Sequence, residues 1–475
     1  MSLEEVRHQM SNGRISDQLE LALESRGEAP RVERSGETDS AMQGDERSGY
    51  DAEHSMEQDL MVLIVERGNL VRALKRVRSN KGSPGVDGLT VEELPAYLKQ
   101  HWPVVREQLL AGSYQPSAVK RVEIPKPGSG PNGGTRQLGI PTVLDRFIQQ
   151  ALLQVLQPIF DPTFSESSYG FRPGRRAHDA VCQAQRYVQG GRRWVVDVDL
   201  EKFFDRVNHD VLMGRVAKRV GDARVRRLIR RYLEAGVMAN GVVVERHEGT
   251  PQGGPLSPLL ANVLLDEVDK ELERRGHRFV RYADDCNVYV KSRRAAERVM
   301  AGLTALYAKL HLRVNESKSA VAPARERFFL GYGFWVAPGR IVKRRVAPKA
   351  LAAMKERVRQ ITSRTSGRSF RQVVAELRSY LTGWKAYFRL ADTPGVFEDV
   401  DRWLNRRLRA LILKQWKRGT TTYRELRGRG VPERVARAAA AHANRWWGMA
   451  AHGALQTAFP VAYFGKLGVP RLCNR

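Results

Sequence analysis

The stretch Arg281–Val290 reads RYADDCNVYV and sets two carboxylates, Asp284 and Asp285, in a run of aromatic and β-branched residues with the composition of a buried strand. Desolvating such groups costs several kcal/mol each unless a partner compensates them. Neighbouring side chains on a strand point to opposite faces, so a regular strand could not aim both at one site. A hairpin removes the conflict, with Phe279–Tyr282 and Asn287–Val290 as strands and Ala-Asp-Asp-Cys as the turn, where Asp is at home. Taken alone, the string is equally an ordinary solvated turn. A third carboxylate, Asp199, closes WVVDVD (Trp194–Asp199), a short β-branched strand. If that strand lies beside the hairpin, Asp199 and Asp284 converge and can share divalent metal ions, with Asp285 in support. Magnesium suits such a site, because a hard cation takes carboxylate oxygens and keeps positions for substrate phosphates. Two ions about 3.5–4 Å apart activate an attacking hydroxyl and stabilise the leaving oxygen of an in-line phosphoryl displacement.

The surrounding pattern supplies elements that could hold these groups. Apolar residues at helical spacing (Leu60, Leu63, Ile64, Leu70, Leu74) lead to the turn KGSPGVDG at Lys81–Gly88. The segment VKRVEIPKPGSGPNGGTRQLGIP alternates on both sides of a Gly/Pro cluster and predicts a two-stranded hairpin. Thr142 opens T-V-L-D, a capping pattern for a helix through about Leu156. WVVDVD runs into a helix at FFDRVNHDVLMGRV, and Gly241–Glu245 reads as another short strand. GTPQGGPLSP then precedes an apolar helix with Ser257 as cap and Pro258 as its first residue. After Gly339 the expectation is helices only. FRQVVAELRSYLTGWKAYF places Phe370, Val373, Val374, Leu377, Leu381, Trp384 and Phe388 on one face.

Composition narrows the partner. The 475 residues carry a formal net charge of +28, which points to a polyanion, nucleic acid before membrane. The charge is uneven: residues 1–60 hold 6 Lys/Arg against 15 Asp/Glu, whereas residues from Arg340 onward hold 30 against 8. The basic end is therefore the candidate for gripping phosphates. Residues 1–55 have few large apolar side chains and read as a disordered acidic leader. Cys182, Cys286 and Cys473 form no Cys-x-x-Cys pair, which argues against a disulfide framework or zinc ribbon and fits a reducing, cytoplasmic setting. No signal pattern and no apolar run of membrane-spanning length is present.

The order of motifs carries a resemblance. RQLGIP, YGFRPGRRAHDAV, DVDLEKFFD, GTPQGGPLSPLLANVLLDEVD, RYADD, NESKS and FLGYGF follow one another as in the reverse transcriptase/maturase of group II introns, of the bacterial type, from about Leu60 to Arg471. The resemblance implies an α/β right-hand polymerase, with fingers and an antiparallel palm sheet over 56–338. An all-α thumb/maturase region over 339–419 and a basic helical, DNA-binding-like region over 420–475 would follow. It implies Asp199, Asp284 and Asp285 as catalytic metal ligands for two Mg²⁺. Phe204 would block a ribose 2′-hydroxyl, Lys126 and Arg136 would hold the incoming triphosphate, and Gln252 with Gly253 would lie beneath the nascent base pair. Lys318 would sit near the leaving pyrophosphate, and FLGYGF (Phe329–Phe334) would grip the primer.

Nucleic-acid contacts are expected from Arg172, Arg175 and Arg176, and from Arg406, Arg407, Arg409 and Lys414. Most aromatics of the helical end (Trp384, Tyr387, Trp403, Trp416, Trp446, Trp447) are expected in helix cores. The implied partners are group II intron RNA, an RNA template with a DNA or RNA primer, target DNA and dNTPs, without a membrane; a homodimer is compatible. A His-Asn-His nuclease with its cysteine pairs, found in some relatives, is not expected. Two other readings stay open: a splicing cofactor that binds RNA around a vestigial polymerase site, and a related reverse transcriptase used in host repair or defence.

Overall fold

The computed structural model describes residues 59–125, 135–239, 242–244, 248–250, 253–365 and 367–473. The acidic leader lies outside them. The described residues form two compact units, one drawn from 59–175, 196–288 and 297–320, the other from 176–195, 289–296 and 321–473.

In the first unit, the expected hairpin forms from β1 (Val119–Pro125) and β2 (Thr135–Ile140), antiparallel with Val122 opposite Leu138. Its sheet continues through β4 (Val237–Ala239) and β5 (Val242–Val244) in the order β2-β1-β4-β5, with β4 parallel to β1. Thr142 caps the helix Val143–Phe160: its hydroxyl oxygen accepts the Asp145 N–H at 3.1 Å and donates to Asp145 Oδ2 at 2.7 Å. That helix runs one turn beyond the expected Leu156. Asp145 is buried, and burial raises its pKa. Tyr114 Oη and the Ser117 N–H also donate to it, so this carboxylate ties the segment leading into β1 to the helix start.

The central sheet has the order β6-β7-β3-β8, from β3 (Trp194–Val198), β6 (Arg278–Tyr282), β7 (Asp285–Val290) and β8 (Ala320–Pro323). Its strands are short and apolar, with Val195, Val196, Val198, Phe279, Val280, Cys286 and Val288 all buried. The helix Ser257–Arg274 starts one residue earlier than expected, with Leu256 at the cap position. The Ser257 hydroxyl instead accepts the Thr250 Oγ1 proton at 3.0 Å.

In the second unit, β9 (Phe328–Phe329) and β10 (Tyr332–Val336) form the FLGYGF hairpin around Leu330 and Gly331, both at positive φ, as primed two-residue turns require. β11 (Val342–Val346) pairs with β10, Tyr332 opposite Val346. This strand corrects the expectation of helices only after Gly339 and runs the sheet across the boundary expected at 338/339. VKRRV hides a period of two: Val342 and Val346 are buried, and Arg344 between them is clamped by Asp392, Nε to Oδ2 at 3.1 Å. The helix Phe370–Tyr387 buries Val373, Val374, Leu377 and Leu381, and Ser369 and Gln372 cap it reciprocally. Among the described residues the unit also holds the helices Ala177–Gln189 and Pro348–Ile361, the longer helix Pro394–Trp416 and five short helices after it. No helix among the described residues is long and apolar enough to cross a membrane.

Candidate active site

β7 is hydrogen-bonded to β3 in the central sheet, so the strand that leads into Asp199 lies directly beside the hairpin that carries Asp284. The hairpin is tighter than the sequence suggests. Its tip is Ala283 and Asp284 alone, Ala283 takes φ +58°, and Asp285 already belongs to β7. The two acids therefore differ in setting. Asp284 stands in the turn, whereas Asp285 lies along the strand and its Oδ1 accepts Asn287 Nδ2 at 3.1 Å. Both are half-buried.

Asp199 is held by the NESKS segment. Its N–H donates to Ser319 Oγ at 3.0 Å, its carbonyl accepts the Asn315 N–H at 2.8 Å, and Leu200 bridges to Val314. Its side chain is 41% exposed overall, yet Oδ2 is shielded from water and accepts no hydrogen bond among the described residues. The Lys318 ammonium faces that oxygen at 3.2 Å without hydrogen-bond geometry. Lys318 thus stands beside an acid of the candidate site.

As the side chains stand, no three His, Cys, Asp or Glu among the described residues form a cluster that could hold a metal ion. The donor set still fits a divalent cation: Asp199 just past the end of β3, Asp284 in the turn and Asp285 at the start of the neighbouring β7, with one shielded acceptor oxygen on Asp199 lacking a donor.

Beneath the hairpin tip lies a buried polar cluster that the sequence reading did not single out. Arg281 and Asp269 are both fully buried and pair through two nitrogens, Nε to Oδ1 at 2.8 Å and Nη2 to Oδ2 at 2.6 Å. Arg281 Nη1 also donates to Asn262 Oδ1 at 2.8 Å and to the Ala283 carbonyl at 2.9 Å, and Nη2 donates to Ser168 Oγ at 2.8 Å. Asn262 Nδ2 in turn donates to the Gly170 carbonyl at 2.9 Å. Gly170, in YGFRPG, packs so close to the tip that a Cβ would collide with the Ala283 nitrogen and the Tyr282 carbonyl carbon. An arginine one residue before the end of an apolar strand, and Asn262 and Asp269 seven residues and so two helical turns apart, were the signals available.

Phe204 lies in a short 3₁₀ turn, half-buried, with its ring edge-on to the buried Phe203 at 5.1 Å between centroids. Phe203 thus takes the core position and leaves Phe204 partly open. The Phe204 carbonyl accepts the Thr250 N–H at 2.7 Å, which anchors the start of the TPQGG loop. At the loop's other end, Gly253 (φ +136°) packs on the Gly139 carbonyl of β2, where any Cβ would collide. Lys126, Gln252 and the side chain of Arg136 lie outside the described residues.

The expected nucleic-acid contacts divide. Arg172 is buried: it donates to Asp161 Oδ1 at 2.9 Å and to the Ser165 carbonyl at 2.6 Å, which braces the loop it belongs to. Arg175 pairs with Glu166 at 2.6 Å, and the Arg176 N–H donates to Asp179. Arg409 is 8% exposed and its Nε donates to the Phe459 carbonyl at 3.0 Å, a packing role where a phosphate contact was expected. Arg406, Arg407 and Lys414 stay half-exposed above tryptophans, Arg406 Cζ 4.3 Å from the Trp447 ring and Lys414 Nζ 3.9 Å from Trp446. None of the six aromatics expected mostly in cores is fully buried: Trp384, Trp403, Trp416 and Trp446 are half-buried, Tyr387 and Trp447 are exposed, and Trp403, Trp416, Trp446 and Trp447 each lie beneath a cation.

Two family descriptions match this chain: "Reverse transcriptase (RNA-dependent DNA polymerase)" over residues 124–334, and "Group II intron, maturase-specific domain" over residues 351–430. The chain thus carries a reverse transcriptase domain followed by a group II intron maturase-specific domain. It is 40% identical over 224 residues to Protein YkfC of Escherichia coli (strain K12), covering 46% of this chain and 58% of that protein. It is 37% identical over 198 residues to the group II intron-encoded protein LtrA of Lactococcus lactis subsp. cremoris, covering 42% of this chain and 32% of LtrA. A solved structure titled "Partial Cas6-RT-Cas1--Cas2 complex" shares 28% identity over 53% of this chain and 42% of the solved one, with a TM-score of 0.34. The matches thus span about a third to somewhat over half of the length of the two curated relatives.

Proposed function

We propose that this protein is an RNA-directed DNA polymerase that extends a DNA or RNA primer with dNTPs on an RNA template. As a maturase it also binds group II intron RNA and assists splicing and mobility. The observation that carries the reading is the sheet order, which sets Asp199 at the end of the strand beside the Asp284 hairpin. Asp199 and Asp284 are the ligands of two Mg²⁺, with Asp285 in support. Once bound, the pair of ions lowers the barrier to attack by the primer 3′-OH and stabilises the departing pyrophosphate oxygen.

The chain's own groups do the positioning. Lys318, already facing Asp199, is placed to meet negative charge on the leaving phosphates. Phe204 presents a rigid ring, edge-locked on Phe203, against C2′ of the sugar and rejects a 2′-hydroxyl by clash. Arg136 and Lys126 hold the triphosphate; Arg suits this because its planar fork reaches two phosphate oxygens at once. Gln252 and Gly253 support the nascent pair, with Gly253 fixed against β2. Arg406, Arg407 and Lys414 contact intron RNA.

Primer extension on poly(rA)/oligo(dT) with Mg²⁺ tests the reading. Asp284→Ala should abolish extension and leave RNA binding within a few-fold. Residual activity above about a tenth of wild type would overturn it, because losing a shared ligand uncouples both ions.

A further inference from the structure

We propose that Arg281 is a positioning residue for the polymerase site, holding the Asp284 turn in its working shape through the Ala283 carbonyl. The inference rests on the reading of Asp284 as a metal ligand. A fully buried arginine is costly unless every N–H finds an acceptor and its charge a counterion. Here Asp269 supplies the charge, and Asn262, Ser168 and the Ala283 carbonyl take further donors. A structural ion pair has no need to reach into a turn. This guanidinium does so, from a strand that also carries the turn, and it grips the carbonyl of the residue immediately before Asp284.

The turn needs holding. Ala283 adopts φ +58°, a conformation that disfavours side chains with a Cβ, so the tip does not keep its shape by local preference alone. Three elements converge on it. β6 brings Arg281; the helix Ser257–Arg274 brings Asp269 and Asn262; the YGFRPG segment brings Ser168 and Gly170, and the Tyr169 N–H donates to the Arg281 carbonyl at 2.8 Å. Arg281 is the one side chain among those named that bonds both to the tip and to the helix and loop behind it. Its planar fork is what permits this, and a lysine ammonium, with three donors at a single point, cannot span the same acceptors.

The experiment compares wild type, Arg281→Lys, Ser168→Ala and Asn262→Ala, all full-length. Three measurements are made: primer extension for kcat and KM, EPR titration for Mn²⁺ affinity, and hydrogen exchange of the 279–286 segment. Arg281→Lys should lower kcat by roughly a hundredfold, the scale of a 1 Å misplacement, with KM for primer–template within about threefold. Mn²⁺ affinity should weaken by roughly tenfold, as loss of groups that orient metal ligands does, and the tip amides should lose protection. Ser168→Ala and Asn262→Ala should shift the same three readouts in the same direction by smaller factors, and they carry the test if the lysine variant does not fold.

Folded variants with wild-type Mn²⁺ affinity, kcat and tip protection would overturn the proposal and leave Arg281 as a plain core ion pair. A separate outcome belongs to the underlying reading: an Asp284→Ala protein that still polymerises removes the site itself, whatever the Arg281 variants do.

Discussion

Arg409→Met separates arginines that hold the helical unit together from those that meet RNA. In the structure Arg409, on the helix Pro394–Trp416, is buried, its Nε donates to the Phe459 carbonyl at 3.0 Å, and burial lowers its pKa. Methionine keeps most of the stem's apolar contact and removes the donor. The Phe459 carbonyl is then left without this partner, which costs about 1–3 kcal/mol, while relief from burying a charge offsets part of that. The net expectation is a loss of roughly 1 kcal/mol, read as a lower denaturation midpoint. Binding to intron RNA should keep its salt dependence, because the side chain neutralises no phosphate.

The comparison is Arg406, Arg407 and Lys414, all replaced by Gln. If all three meet phosphates, the slope of log K against log[salt] should flatten by roughly two to three, at about 0.7–0.9 per phosphate contact. The assay is a salt titration of binding to group II intron RNA beside a urea melt. An Arg409→Met protein of unchanged stability whose slope falls by about one would refute the reasoning, as would a triple variant with the wild-type slope.

Two further outcomes follow from the site and its supports. Phe204→Val should raise ribonucleotide incorporation relative to deoxynucleotide, measured in competing-substrate extension, because the ring proposed to exclude the 2′-hydroxyl is gone; a folded mutant as selective as wild type would leave Phe204 a packing role. Asp266 is pushed up to about 6, first by burial and then by the neighbouring charge of Asp269. Its folded pKa lies above the unfolded value near 4, so the folded state binds the extra proton, and this group's contribution to stability is lost as pH rises through 6. Asp266→Asn should therefore stabilise by about 1 kcal/mol at pH 7.5, after discounting for partial exposure, and the gain should vanish near pH 4. Paired melts at the two pH values check it, and an equal gain at both would exclude the burial effect.

Much of the scaffold was legible because its signals are local. The Thr142 cap, the β1–β2 alternation, the Asp-Asp hairpin and the apolar face of Phe370–Tyr387 all follow from residues within one or two turns of each other. β11 was not legible, because Lys343, Arg344 and Arg345 hide its period, and the partner that makes Arg344 tolerable, Asp392, is 48 residues away. The same reason hid the Arg281 cluster, whose acceptors come from 12 and 113 residues away in sequence. Arg172 and Arg409 show the converse error. Arginines in a basic chain read as surface groups, and only backbone carbonyls delivered by the fold reveal them as internal ties. The three candidate acids were named from their residue types, but the tightness of the turn was not, since Ala283 at positive φ runs against its own preference and the groups packed on it, Gly170 and Arg281, include one from over a hundred residues away.

The central claim is that Asp199 and Asp284 hold a shared pair of divalent ions. Crystals of the protein with a primer–template ending in a 3′-deoxy nucleotide, a matched dNTP and Mn²⁺ would locate those ions by anomalous scattering. The account predicts two manganese peaks about 3.5–4 Å apart, with oxygens of both Asp199 and Asp284 coordinated. Fully bound dNTP with no metal between the two carboxylates, or with Lys318 still against Asp199 in its place, would contradict it.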